Sequence, residues 1–352
     1  MALSKRFLGA LSATLVVGLA ACGSTTGKPA TTTEAAASAS PTTPGVPLPA
    51  AQLSLVAYST PQAAYEQIFK AFQATPQGKN ITFTESFGAS GDQSRAVEAG
   101  LAADIVAFSL APDMTRLVKD KIVAPDWNSG PSKGMATDSV VVLVVRKGNP
   151  KNIHTWSDLI KPGVKVITPN PFTSGGARWN VMAAYGAVSN VGHNDAAGQA
   201  YLDTLFKNVP VQDNSARAQL QTFVGGEGDV MIDYENDAIF AEQKGQAVDY
   251  VIPDQTILIE NPVAVTANSK HPAQAEAFLE FLYTDAAQKI FANNGYRPVV
   301  SGIATPSQFP TPSGLFTIDQ LGGWMTVSTK FFDPSVGVMA AIENKLGVSI
   351  KK

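Results

Sequence analysis

The chain has 352 residues, of which 45% are hydrophobic and 16% charged, with one cysteine and a formal charge of −3. The acidic balance argues against a nucleic-acid partner, whose affinity comes largely from basic surface, and a single thiol leaves no disulfide framework. The length exceeds what one hydrophobic core usually accommodates, so two lobes are expected.

At the N-terminus, Lys5-Arg6 precede an apolar stretch from Phe7 to Ala20 that ends in Leu19-Ala20-Ala21-Cys22. This reads as an export signal over residues 1–21, too short and too rich in small residues for a lasting membrane span. A small-residue cleavage site directly before the only cysteine resembles the bacterial lipoprotein signal, with lipid carried on Cys22. The other reading is an ordinary secretory signal with a chance cysteine. Loss of Lys5 and Arg6 with the signal takes the formal charge to −5.

Residues 22–51 read as a flexible linker: 24 of the 28 residues from Gly23 to Ala50 are Gly, Ser, Thr, Ala or Pro, a composition unable to bury enough apolar surface to fold. Structure is expected near Leu53. The run Leu53 to Ala57 reads as a strand, and Tyr65, Ile68, Phe69 and Phe72 recur on one helix face. Ile81 to Glu85 alternates like a strand and leads through Gly88-Ala89-Ser90-Gly91-Asp92 into a helix over Gln93 to Leu101. Asp104 to Phe108 is another strand, followed by a helix around Met114, Leu117 and Val118.

Ser139 to Val145 is the longest β-branched run and reads as a strand crossing between lobes. Next come short strands at Lys165 to Ile167, Val209 to Val211 and Asp229 to Ile232. Ile257 to Ile259 and Pro262 to Val265 read as the return crossing. Pro272 to Tyr283 and Ala286 to Ala292 are amphipathic helices, and Phe316 to Lys352 continues mostly helical. Lobe 1 is expected over 53–140 plus 265–352, with 300–352 assigned provisionally, and lobe 2 over 141–264. Strands alternating with helices predict an α/β fold with mainly parallel sheets covered on both faces.

In such sheets ligands collect beyond the carboxyl ends of the strands. The loops there offer hydroxyls and backbone N–H groups: Ser59, Ser90-Gly91, Ser174-Gly175-Gly176 and Ser215-Ala216. Ser174 to Gly176 fall at the first turn of a helix over Ala177 to Ala187, where N–H groups lack intrahelical partners and the macrodipole is positive. No lysine follows the glycines, so this is not a nucleotide P-loop. Taken singly, each loop is an ordinary N-cap or turn; four at equivalent points of two lobes indicate an anion cradle.

The run Arg146 to Lys151, then His154, Trp156, Leu159 to Val164, Val166 to Pro171 and Ser174 to Asn180 resembles the sulfate-binding proteins of ABC transporters. So do Gly88 to Gly91, Leu205 to Val209, Gly228 to Val230, Glu235-Asn236, Tyr296 to Pro298, Leu315 to Asp319 and Gly322 to Trp324. The likeness runs from about Leu53 to Trp324. It implies the two-lobed fold of the type II periplasmic binding proteins, with the ligand in the cleft. Sulfate donors implied by position are the backbone at Ser59, Ser90 and its N–H, the Ser174 hydroxyl, the amides of Gly175, Gly176 and Ala216, and Tyr234. Gly91, Arg178 and Arg217 stand behind them. Ser59 replaces an Asp frequent in relatives, and Tyr234 replaces a Trp whose indole N–H contacts the ligand.

The resemblance implies capture of sulfate outside the cytoplasmic membrane and delivery to a permease with a cytoplasmic ATPase, by a lipid-anchored monomer without cofactor or metal. Thiosulfate, molybdate and phosphate are the alternative oxyanions. Monohydrogen phosphate needs an acceptor for its proton, and Asp92, the nearest acid, is expected at the surface in a first helical turn. The rival of another class is an ester hydrolase using Ser174, but no Gly-x-Ser-x-Gly elbow surrounds that serine. His154, His193 and His271 lack metal spacing.

Overall fold

The computed structural model of the protein describes residues 45–350. The export signal, Cys22 and most of the linker lie outside the described residues. The chain is already docked at Leu48 and Pro49, whose carbonyls accept from Asn80 and Gln274, a few residues earlier than expected. Among the described residues no helix is long and apolar enough to cross a membrane.

β1 (Ala51–Tyr58), α1 (Gln62–Gln73), β2 (Ile81–Gly88), α2 (Ser90–Glu98), β3 (Ile105–Ala107) and α3 (Ala111–Lys119) form the first part. β1 pairs in parallel with β2 and β3. α1 buries Tyr65, Ile68, Phe69 and Phe72 as its spacing predicts, and Phe69 stacks on Phe83 with ring centroids 4.1 Å apart. β4 (Met135–Arg146) follows, then β5 (Val166–Ile167), α4 (Gly175–Val188), α5 (Asp195–Leu205), α6 (Ala216–Val224), β6 (Val230–Tyr234), α7 (Glu235–Gln243) and β7 (Val248–Val251). β8 (Gln255–Val265) returns, and α8 (Pro272–Leu282), α9 (Asp285–Asn293), β9 (Arg297–Pro298), β10 (Gly314–Phe316), α10 (Gly323–Phe332) and α11 (Val338–Leu346) complete the chain.

The sheet runs β2-β1-β3-β8-β4-β6-β5. β4 and β8 lie antiparallel and belong to both of its parts: β8 pairs with β3 through Val263 to Val265, while β4 pairs with β6 through Val141 to Val145. The apolar run in β4 has its explanation here, because a strand buried on both faces needs no polar alternation. Val141, Leu143 and Val145 enter one core, and Val140, Val142 and Val144 another.

The two return runs are one continuous strand, β8. Pro262 sits where β8 passes from β4 to β3 and its carbonyl accepts from Phe108 N at 2.9 Å, a place where a missing N–H interrupts no ladder. Val209 to Val211 is not a full strand. It reduces to a single parallel bridge between Val211 and Ile167, with Pro210 lacking the N–H that a ladder would use.

α8 and α9 pack with α1 and β1 as expected of lobe 1, whereas the provisionally assigned end of the chain, within 300–352, packs elsewhere. Val327, Phe331, Phe332, Met339, Ala340 and Ile342 share a core with α4 and α5. Phe331 meets Tyr185 edge-on at 4.6 Å, and Lys330 Nζ lies 2.6 Å from Asp195 Oδ1. The reason is shape: α4 is buried nearly all round and needs cover on its outer face, where Gly186 admits the ring of Phe316.

Candidate functional site

α4 begins as its sequence predicts. Ser174 is the N-cap, with extended backbone and its Oγ accepting from Ala177 N at 3.3 Å. Gly175 and Gly176 are then the first two helical residues, whose N–H groups point out of the helix without intrahelical partners. Side chains are excluded at both. A Cβ on Gly175 would lie 2.6 Å from Ser109 Cβ and Oγ, and one on Gly176 would lie 2.7 Å from the Tyr234 ring.

Ser90 opens α2 in the same manner, and Ala216 opens α6 behind the N-cap Ser215. Tyr234 ends β6 and caps α7. Ser90, Ser174, Gly175, Gly176, Ala216 and Tyr234 are all buried, and Ser59 is half-buried. Three helix starts therefore direct unpaired amides into sites shielded from water, where dipoles act most strongly on charge.

The structure gathers these residues into two contact sets. In the first, Ser109 N donates to Ser90 Oγ at 3.0 Å, and Ser109 Oγ lies 2.5 Å from Tyr234 Oη. The Tyr234 ring rests on Gly176, next to Ser174, and Gly91 N donates to Thr173 O at 3.2 Å. In the second, Ser59 Oγ accepts a long contact of 3.4 Å from Arg217 N, beside Ala216, and Arg217 Nη2 donates to Thr60 O at 2.7 Å. Tyr58 links the sets, its ring centroid 6.3 Å from that of Tyr234.

One assignment needs correction. The Ser90 hydroxyl is not spare: it donates to Asp113 Oδ2 at 2.6 Å, because a buried carboxylate only accepts and must be given donors. What Ser90 can offer an anion is its N–H. Asp92 behaves as expected, in the first turn of α2, paired with Arg95 and accepting from Asn214 Nδ2 at 2.9 Å.

The flanking arginines stand behind the cradle. Arg178 donates Nε to Pro171 O at 2.9 Å and lies 5.0 Å over the Phe332 ring; its burial lowers the guanidinium pKa. Arg217 pairs with Asp237 and lies over Phe240, 4.0 Å from the ring centroid. Burial raises the Tyr234 pKa well above the ordinary phenol value, with the Tyr58 phenol adding to the rise. The residue stays a neutral hydroxyl at physiological pH.

Ser109 and Asp113 are the site residues that sequence reasoning missed. Ser109 follows β3 as Ser59 follows β1, and that equivalence was the available signal. Among the described residues, no cluster of His, Cys, Asp and Glu could hold a metal ion.

The family described as bacterial extracellular solute-binding protein matches residues 53–297. A sulfate-binding protein from Synechococcus elongatus is 43% identical over 80% of this chain and 83% of its own. A thiosulfate-binding protein from Pseudomonas aeruginosa is 36% identical over 77% of this chain and 86% of its own. Among solved structures, the sulfate-binding protein SubI from Mycobacterium tuberculosis superposes with a TM-score of 0.79 at 46% identity, covering 80% of this chain and 99% of that one. The fold is that of the type II periplasmic binding proteins, as expected from the sequence, but the sheet is mixed rather than mainly parallel, because the two crossing strands β4 and β8 pair antiparallel with each other and with β6 and β3.

Proposed function

We propose, on the premise that this chain belongs to the bacterial extracellular solute-binding proteins and is not an enzyme, that it captures sulfate outside the cytoplasmic membrane for import by an ABC permease. The observation carrying this reading is the set of uncharged donors at Ser174, Gly175, Gly176 and Ser90, buried together with Tyr234 and Ser109. Sulfate is fully ionised at neutral pH and only accepts hydrogen bonds, so a site made of donors fits it. Neutral N–H and O–H groups avoid the desolvated ion pair that a buried Lys or Arg would create, whose solvation penalty can exceed its Coulomb gain.

Two carboxylates beside the first contact set are already engaged: Asp113 by Ser90 and Arg116, Asp92 by Arg95 and Asn214. A protonated oxyanion, which needs an acceptor, is disfavoured. Ser59 and Ala216 complete the donor set from the second contact group. The parts joined by β4 and β8 act as two lobes that close over the anion. Cys22 carries the lipid that holds the monomeric protein at the outer face of the membrane, with the linker as tether. Thiosulfate is the second reading, favoured by the thiosulfate-binding relative.

Calorimetric titration of residues 23–352 with sulfate, thiosulfate, molybdate and phosphate from pH 6 to 8 tests the reading. Sulfate is expected to bind at micromolar or better affinity, nearly constant over that range. Absence of sulfate binding, or stronger binding of phosphate, refutes it.

A further inference from the structure

We propose that Ser109 Oγ is the hydroxyl that meets the anion beside Gly175, and that Tyr234 is a positioning residue that donates to Ser109. This rests on the sulfate reading and reassigns the contact that the family resemblance gives to position 234.

Ser109 is held from several sides. Its N–H donates to Ser90 Oγ at 3.0 Å, and its carbonyl accepts from Trp179 Nε1 at 2.8 Å and Asn261 Nδ2 at 3.0 Å. The side chain, 1% exposed, lies against Gly175, since a Cβ there would be 2.6 Å from Ser109 Oγ. The serine hydroxyl thus sits beside the first-turn amides of α4, fixed by contacts that leave its Oγ only one protein partner, Tyr234 Oη at 2.5 Å.

Two hydroxyls that bond each other have two protons, and one lies between them. The other is free for an acceptor. In the same buried surroundings a phenol remains a stronger donor than an aliphatic alcohol, so the favoured order is Tyr234 Oη–H to Ser109 Oγ, with Ser109 Oγ–H to the anion. Accepting from the phenol polarises the serine and strengthens its own donation.

The surroundings agree with this order. The Tyr234 ring edge is the part nearest Gly176, with Cε2 at 2.7 Å and Oη at 3.4 Å from a Cβ placed there. Ser109 Oγ bonds Tyr234 Oη, whereas Ser90 Oγ meets the Ser109 backbone N–H and gives its own proton to Asp113.

The test is calorimetric titration of residues 23–352 with inorganic sulfate in wild type, Ser109→Ala, Ser109→Cys, Tyr234→Phe and the Ser109→Ala/Tyr234→Phe double variant. Ser109→Ala should weaken binding about 30- to 100-fold, the loss of one buried hydrogen bond to a charged group. Ser109→Cys should follow it, a thiol being a poor donor. Tyr234→Phe should cost about 3- to 10-fold, and the double variant should stay within about threefold of Ser109→Ala, since Tyr234 then has nothing to aim.

Melting temperatures without sulfate report a merely structural role, and the affinity pattern should hold for whichever serine variant melts near wild type. A Tyr234→Phe loss equal to or larger than the serine loss overturns the proposal, as does a serine variant that binds like wild type. If wild type itself binds no sulfate, the functional reading falls and this proposal with it. If wild type binds and only the ranking fails, this proposal alone is wrong.

Discussion

Arg217 Nη2 lies 3.0 Å from Asp237 Oδ1 and 2.7 Å from Thr60 O, so one guanidinium ties α7 to the loop that follows β1. Asp237 has no exposed surface and shares its surroundings with Asp233, equally buried. Burial raises both carboxyl pKa values, and for Asp233 the neighbouring Asp237 charge raises it further. Asp237→Asn removes the counter-charge of a largely buried arginine. Breaking such a pair costs about 3 kcal/mol or more, and urea denaturation at pH 7 should show it. A midpoint unchanged from wild type would mean that the pair contributes nothing.

Gly175 has no room for a methyl group against Ser109 and Leu110. Gly175→Ala is expected to reduce sulfate affinity more than 100-fold while leaving the far-UV circular dichroism unchanged, because the helix itself tolerates alanine. Titration showing affinity within about tenfold of wild type would mean that the amide of Gly175 does not face the anion.

Glu343 in α11 is buried with Gln212 Nε2 at 2.8 Å as its partner. Burial pushes its carboxyl up to about 7, against the opposing effect of the Gln212 hydrogen bond. The fold therefore prefers the neutral acid. Its stabilising contribution is complete below the ordinary glutamate value of about 4.5 and is lost as pH rises to about 7. Glu343→Gln should match wild type at pH 4 and exceed it at pH 8 by on the order of 1–3 kcal/mol. Thermal melts across that range whose difference stays constant would contradict the assignment.

Cys22→Ser should release the protein from the membrane fraction into the medium and abolish incorporation of labelled fatty acid. Continued labelling would place the anchor elsewhere.

Periodicity and chain-specific chemistry made most of the fold readable. The spacing of Tyr65, Ile68, Phe69 and Phe72 gave the inner face of α1, and the apolar run at 139–145 announced a crossing strand, which β4 is in joining β8 to β6. The Ser-Gly-Gly start of α4 was legible because an N-cap hydroxyl and two glycines ahead of a run of helix formers mark a helix that opens on bare backbone. Ser109 was not. It has no glycine beside it, and its position depends on β3 lying next to β8 and facing α4, a relationship set by sheet order. The C-terminal helices escaped for a related reason: Phe331 and Phe332 advertise burial, but only the bare outer face of α4 decides where.

The arginines around the cradle have a kinetic consequence. Arg95, Arg116 and Arg217 each face a carboxylate, namely Asp92, Asp113 and Asp237. These pairs are locally neutral, so what acts at long range is the chain's net negative formal charge, which opposes a dianion and is screened by salt; the encounter rate should rise modestly with ionic strength. A cell in brackish water would load this protein somewhat faster than one in a dilute pond for a given sulfate supply.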